Sequence, residues 1–503
     1  MEYFDIFMLL IISLCILITL KYPIVINKFL FKLIAKNRIN FVLKDIENNC
    51  NLYKNIDHQL LNKVNNNLCD SILFAHQINV TNQQQKIYLT HHELNAHMFI
   101  NGTTGSGKTV AFMNFVENAC CNNLPLIYID GKGSFDLIDK INYFTNKYQR
   151  TFRVFSLKPE LLPNPARYDF LGNGTFTEQK NRIMQLFINA DSAGSAYYQD
   201  KLERFINAVL RTASLHHIVL DLFIFVQLVQ NINYLIELAQ LKKDNLLIEY
   251  FITIKQLKKD SPHERILDML DVFINSSYGQ YFKIINQETQ ENNFFNHIIN
   301  IREAILNKEI ILFLLDNASY PIDTNKIAKM IISDINSVFA NFGVQNPKII
   351  HKTFCIFDEF ASYATDLLSN TISIHRSNGM HAIIGTQSIT TVAKAGIHAG
   401  RIAEEILSCC NTFLVLATTN DKDALRLANI FGTKQYNNIS FSHGIQQNGK
   451  EHHSILSKKI DDFIIKPQAI KNIPINSGIG YLYRKSINQA PIKVLIVNQL
   501  EPE

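Results

Sequence analysis

The chain has 503 residues, more than one core usually organises, so two or three domains are expected. Hydrophobic residues make up 47%, enough for sizeable cores and too many for a disordered chain. Lys and Arg number 49 against 44 Asp and Glu, and this net +5 permits nucleic acid or acidic lipid as a partner without arguing for either. The eight cysteines include the adjacent pairs Cys120-Cys121 and Cys409-Cys410 and no C-x-x-C. That usage points to reduced, buried thiols in a cytosolic compartment rather than to a disulfide frame or a zinc site.

Residues 4–20 are apolar except for Asp5. As a helix they span ~26 Å, just short of a ~30 Å hydrocarbon core. No cation precedes the run, which argues against a secretory signal. Lys21, Lys28, Lys32, Lys36 and Arg38 follow it. The positive-inside rule then predicts a single transmembrane anchor over 1–21, N-terminus outside and bulk in the cytoplasm. A helix lying in the membrane interface is the alternative. Residues 24–35 mix apolar and basic groups and look interfacial, 39–85 are polar and Asn-rich, and 22–85 as a whole read as a juxtamembrane connector.

From residue 86 onward short apolar runs alternate with helical patterns, which predicts an α/β domain with a parallel-dominated sheet. Strands are expected at 98–100, 126–129, 152–155, 310–315, 354–357, 382–385 and 412–416. The first leads into Gly102-Thr103-Thr104-Gly105-Ser106-Gly107-Lys108-Thr109, followed by a helical pattern over 110–119. Strand, glycine-rich loop and helix in this order form a phosphate cradle. Glycines let successive N–H groups turn inward, and the helix N-terminus adds positive charge. Lys108 is expected on the β/γ-phosphates and Thr109 on Mg²⁺, which predicts binding of a nucleoside triphosphate.

The second strand ends in Asp130-Gly131-Lys132-Gly133, which reads equally as a backbone passing close to a ligand or as a plain turn. Between about 177 and 300 strand signals are missing. Tyr198, Leu202, Phe205, Ile206, Val209 and Leu210 share one helical face there, which predicts an all-helical insertion. Motor segments are therefore expected at 86–176 and 301–495. Asp358 and Glu359 end the strand 354–357, the end at which ligands sit in open α/β sheets. Asp358 is expected to hold Mg²⁺ through water and Glu359 to polarise the attacking water; a helix-capping role is the alternative. Arg376 reads as a transition-state cation or a solvated helix-end charge. Gln387, in Gly385-Thr386-Gln387-Ser388, reads as a γ-phosphate sensor or a cap.

The ordered set G-T-T-G-S-G-K-T, D-G-K-G, helical insertion, F-D-E-F, R-S-x-G and G-T-Q-S resembles the coupling proteins of type IV secretion, the TraD/TraG-like conjugative DNA-translocation ATPases. The segment from Asn411-Thr412-Phe413 through Asp421-Lys422-Asp423-Ala424 to about Gly432 is also similar to theirs, and the likeness runs from 86 to about 490. The D-G-K-G variant is similar to the Dot/Icm-type branch. The resemblance implies a RecA-like motor forming a homo-hexameric ring under the inner membrane, with ATP and Mg²⁺. Its partners would be secretion channel components and single-stranded DNA with a relaxase, or protein effectors. It implies that 102–109 bind the nucleotide, Asp358 and Glu359 form the second nucleotide motif, Gln387 is the sensor and Arg376 is a finger into a neighbour's site. Asp130 and Lys132 match the family's D-x-K-G signature, of open role. Many relatives have two transmembrane helices where one is read here, and no extra domain is evident after about 495. Recruitment would then rest on the insertion or on separate adaptor proteins. A coupling ATPase for protein effectors only, a partition or repair DNA pump, and a scaffold with a dead nucleotide site are the competing expectations.

Overall fold

The computed structural model describes residues 71–78, 85–187, 196–257, 261–284, 297–345, 352–392, 399–445 and 451–500. The expected anchor and most of the connector lie outside the described residues. In chain order the strands are β1 (Ser71–Gln77), β2 (Gln85–Thr90), β3 (Met98–Asn101), β4 (Leu126–Asp130), β5 (Phe152–Ser156), β6 (Arg167–Tyr168), β7 (Ile298–Ile299), β8 (Ile310–Leu314), β9 (Thr353–Asp358), β10 (Met380–Thr386), β11 (Thr412–Val415), β12 (Thr433–Ile445), β13 (Glu451–Phe463), β14 (Ile479–Arg484) and β15 (Gln489–Ile496). Eleven of them form one sheet in the order β2-β1-β15-β14-β11-β3-β10-β9-β4-β8-β5.

From β11 to β5 every neighbour runs parallel. These strands are the seven apolar runs read from the sequence. Both faces are buried, with side chains alternating between two cores. On β4, Ile127 and Ile129 enter one core while Leu126 and Tyr128 enter the other; on β9, Cys355 and Phe357 oppose Phe354 and Ile356. One core packs under the helix Lys108–Cys121, through Phe112, Phe115 and Val116. The other packs under the long helix Pro321–Gln345.

From β2 to β11 the neighbours run antiparallel. Here the sequence reading needs correction. Ser71–Gln77, counted with the connector, is a strand of the main sheet, pairing Ala75 with Ile496 on one side and Ser71 with Thr90 on the other. The run SILFAHQ alternates well enough to bury Ile72 and Phe74, and its asparagine-rich surroundings hid it. The paired ribbon β12–β13 likewise stands apart from the main sheet.

Between β6 and β7 the described elements are helices, Phe176–Met184, Ala196–Leu215, Leu222–Gln230, Ile232–Leu241, Asn245–Gln256 and Pro262–Ile274, followed by a 3-10 turn. The short parallel pairing of β6 with β7 closes the base of this segment. Arg182 ties it to the motor. Fully buried, its guanidinium lies 3.2 Å from Asp334 on the helix Pro321–Gln345 and donates to the Phe170 carbonyl at 2.6 Å and Ser337 Oγ at 2.8 Å. Tyr168 donates to the same Asp334 at 3.0 Å. Among the described residues no single helix is long and apolar enough to cross a membrane; the apolar helices Leu222–Gln230 and Ile232–Leu241 meet at 93°. Cys120, Cys355 and Cys410 are buried free thiols, whereas Cys121 is exposed.

Candidate active site

The parallel strands deliver their C-terminal ends to one edge of the sheet, and the candidate residues arrive there from adjacent columns. β3 carries the glycine-rich loop. β10, its neighbour, ends at Thr386 and passes into Gln387; β9 follows with Asp358 and Glu359; β4 follows with Asp130. Registers fix the alignment, with Thr386 opposite Asn101 and Asp358 opposite Asp130. A cleft of about 280 Å³ opens between them, lined by Thr103, Thr104, Gly105, Gly107, Lys108 and Thr109, and across it by Lys132, Asp358, Glu359 and Gln387.

The loop has the backbone such a cradle requires. Gly105 and Gly107 adopt φ of +74° and +105°, where a side chain would strain the chain, and Gly107 precedes the helix Lys108–Cys121. Lys108 donates to the Gly102 carbonyl at 2.5 Å and the Thr103 carbonyl at 3.4 Å, which folds its side chain over the loop. Gly385 serves the same assembly from β10, because a Cβ there would lie 2.4 Å from the Phe112 ring of the loop's own helix. The far flank is braced by a segment the sequence reading missed: the Asn476 N–H donates to the Gly105 carbonyl at 3.1 Å.

Asp358 and Glu359 sit on a tight turn. Glu359 has φ of +51°, and its N–H donates to Asp358 Oδ1 at 2.9 Å. Tyr128 donates to Asp358 Oδ2 at 3.1 Å, and Tyr363 donates to the Asp358 carbonyl at 3.0 Å. Tyr128 falls within the expected strand 126–129 and Tyr363 in no motif, so nothing local marks either as a support of this turn. Burial, reinforced by Asp130 and opposed by Lys108, pushes the Asp358 carboxyl up to about 7. Burial also raises Glu359, against the pull of Lys108 and hydrogen bonds from Gln387. Lys108 is lowered by burial, although Asp358 and Glu359 favour its charge and Lys132 opposes it. Gln387 accepts from Thr104 Oγ1 at 3.2 Å while bonding Glu359, so it bridges the loop and the carboxylate.

Behind Gln387, buried Asp423 accepts from Ser388 Oγ at 2.6 Å and from the Ile389 and Thr390 N–H groups at 3.1 and 2.9 Å. Its partners lie more than thirty positions away in sequence, so no spacing revealed this pin. Asp130 also has an assignable task. Its carboxylate accepts from Lys132 N at 3.0 Å and Ser134 N at 2.6 Å, which fixes the loop after β4.

Arg376 stands elsewhere. It is exposed in the turn that precedes β10, at the N-terminal edge of the sheet, whereas Gln387 follows the C-terminal end of the same strand. Seven extended residues separate the two edges by ~20 Å. Among the described residues no cluster of three His, Cys, Asp or Glu side chains could hold a metal by itself.

Residues 352–475 match the family described as the TraM recognition site of TraD and TraG. Among curated proteins none matches the chain. Among solved structures the fold is similar to the bacterial conjugative coupling protein TrwBΔN70 in its unbound form, with TM-score 0.57 and 11% identity over 84% of this chain and 88% of that one. The plasmid coupling protein TrwB with the non-hydrolysable ATP analogue ADPNP gives TM-score 0.55 and 11% identity, covering 86% and 97%. TrwB with ADP and Mg²⁺ gives 0.53 and 10%, covering 85% and 95%. At these identities the structural likeness establishes the fold, and the family match covers residues 352–475 only.

Proposed function

We propose that this chain, which belongs to the type IV secretion coupling proteins of the TraD/TraG kind, is an ATPase that drives transfer of DNA with its bound protein through the secretion channel. The observation that carries the ATPase reading is the convergence of the glycine loop, Asp358, Glu359 and Gln387 on one cleft at the C-terminal edge of the sheet. The ADPNP and ADP–Mg²⁺ complexes of TrwB support a nucleotide with Mg²⁺ as its occupant. A homo-hexamer and DNA as cargo rest on the family resemblance. A single-pass inner-membrane anchor over 4–20, N-terminus outside, rests on the cations that follow that run.

The residues fit the magnesium nucleotide. A loop with two glycines at positive φ leaves room for phosphate against its N–H groups, and Mg²⁺ needs few protein ligands because it keeps several waters. Thr109 and Asp358 would hold the ion, which when bound neutralises charge on the phosphate oxygens. The loop amides and Lys108 bind the β- and γ-phosphates. Glu359 orients the attacking water and takes its proton, and a carboxylate raised by burial is a better base than a solvated one. Gln387 couples Glu359 to Thr104, so that occupancy of the loop is felt at the base. Arg376, too far from its own cleft, serves a neighbouring protomer.

Full-length protein in detergent is expected to hydrolyse ATP. Lys108→Ala should lose nucleotide binding, whereas Glu359→Gln should bind ATP and lose about 10²-fold or more in turnover. Single-stranded DNA should raise wild-type turnover, less so at higher salt. Stimulation by an effector protein and not by DNA would reassign the cargo. Wild-type turnover in Glu359→Gln would remove that residue from its role.

A further inference from the structure

We infer that Lys132 is a second cation for the terminal phosphate, entering the nucleotide cleft from the side opposite Lys108. The inference rests on the ATPase reading above and gives the D-G-K-G loop a chemical task.

Position is the first argument. β4 and β9 are adjacent and parallel, with Asp130 directly opposite Asp358. A residue two places beyond Asp130 therefore emerges beside Glu359, one column further from the glycine loop. Lys132 lines the same cleft as Lys108, Thr109, Glu359 and Gln387. Across the strand order β3-β10-β9-β4, Lys108 comes from the first column and Lys132 from the last, with Gln387 and the two carboxylates between. An anion placed in the cleft between them would be shared by both ammonium groups.

Rigidity is the second. The Lys132 N–H donates to buried Asp130, and Ser134 N donates to the other oxygen of the same carboxylate. On one side, a Cβ at Gly131 would lie 3.0 Å from the Tyr363 ring and 3.3 Å from the Glu359 carbonyl. On the other, Gly133 has φ of +75° and would place a Cβ 2.7 Å from Asp316 Cα. Lys132 is thus held between two glycines packed against their neighbours, on a loop fastened to the turn that carries Glu359. Its own side chain has no ion pair among the described residues. The fixing is of the backbone, and the exposed side chain extends from it along the cleft wall.

Chemistry is the third. In hydrolysis the water oxygen bonds to the γ-phosphorus while the bridging P–O bond to ADP breaks, and the water proton passes to Glu359. Negative charge spreads over the equatorial oxygens, and a fixed cation beside them stabilises that state more than the ground state. Lys108 covers the β/γ side; Lys132 would cover the γ-phosphate from the base side. ADP, lacking that group, would not engage it.

The test compares Lys132→Ala, Lys132→Arg and Lys108→Ala with wild type in the full-length protein, using ADP and a non-hydrolysable ATP analogue as probes and steady-state ATP turnover as the second readout. Lys132→Ala is expected to weaken the analogue by about tenfold, the scale of one charge-assisted hydrogen bond, and to leave ADP within about twofold. Turnover should fall by at least a similar factor, and Lys132→Arg should recover most of the analogue affinity. If Lys132→Ala does not fold, Lys132→Gln takes its place. Equal loss of ADP and analogue, or no change in either, overturns the inference. If Lys108→Ala alone loses nucleotide, the ATPase reading stands and only the role of Lys132 falls. A wild type that binds neither probe overturns both.

Discussion

At the C-terminal ends of β3, β4, β9 and β10 the protein gathers lysines and carboxylates in one cleft, while around the N-terminal ends of β3 and β10 three histidines lie buried among apolar residues. His97 is the clearest of these. Its ring accepts from the Ala382 N–H at 3.1 Å and donates to the Ile372 carbonyl at 2.8 Å, an arrangement that requires the neutral form with the proton on Nε2. Burial lowers its pKa to about 4, and nearby Arg376 adds to that lowering. His375 falls to about 4 and His381 to about 3, both chiefly through burial. One edge keeps charges close together, held by hydrogen bonds from Tyr128 and backbone N–H groups. At the other edge the histidines stay neutral, the charges of Arg484 and Glu93 meet as a buried pair at 3.3 Å, and Arg376 is exposed. Opposed charges are useful where a charged substrate will share them; where strands merely start, neutrality is cheaper than ionisation.

The largest expected effect tests whether the exposed Arg376 belongs to the chemistry at all. Arg376→Ala should bind ATP and assemble as wild type does, yet lose ~10³-fold or more in turnover, the range for fingers acting across a boundary. Mixing it with Glu359→Gln should restore some activity at interfaces pairing an intact arginine with an intact glutamate. Mixed oligomers that stay as inactive as either parent would return Arg376 to the solvated surface and leave the two edges functionally unconnected.

A smaller effect separates the edges by pH. Folded Asp358 keeps its proton up to about pH 7, whereas in the unfolded chain it releases it near 3.8. Between about pH 4 and 7 its contribution to stability therefore falls as pH rises. Asp358→Asn should melt a few degrees above wild type at pH 8 and match it near pH 4. An offset that is the same at both values would show that the carboxylate is not held protonated by the fold.

The smallest runs the other way. Folded His97 resists protonation down to about pH 4, while the unfolded histidine takes a proton near 6.5. Its contribution is complete above pH 6.5 and is lost as pH falls toward 4. His97→Gln should flatten part of the stability loss seen below pH 6.5, with His375 and His381 retaining their share. An unchanged acid limb, followed by thermal melting, would remove His97 from the neutral edge.

Legibility followed the length scale of each interaction. The seven parallel strands were readable because both their faces are buried, which leaves short uninterrupted apolar runs such as Leu126-Ile127-Tyr128-Ile129. β14 buries alternate residues, β15 is only partly buried, and their mixed runs resemble loop sequence. The β12–β13 ribbon carries Ser, Asn and His through its strands, which leaves little periodicity to find. Within the site, the glycine loop announced itself because cradle geometry is encoded in consecutive residues. Asp130 was visible as a motif, but its task appears only when its carboxylate is seen holding Lys132 and Ser134. Tyr128, Asp423 and Asn476 escaped because each acts on a residue distant in sequence, and Tyr363, five positions from Asp358, because no motif marks it.

The join between β1 and β15 has a consequence for how the chain is made. Synthesis delivers the β1–β2 ribbon first, but its place in the sheet is bounded by β15, which emerges after every other strand. A two-stranded ribbon is marginal alone, so these early residues wait with an unpaired edge until late ones close beside them. The brace from Asn476 onto Gly105 arrives in the same final stretch. Partial chains thus contain the whole glycine loop without its support, and pairing between such distant segments is slow to form. The cleft reaches its finished shape only as the last strands lock in, which ties acquisition of nucleotide to completion of the sheet.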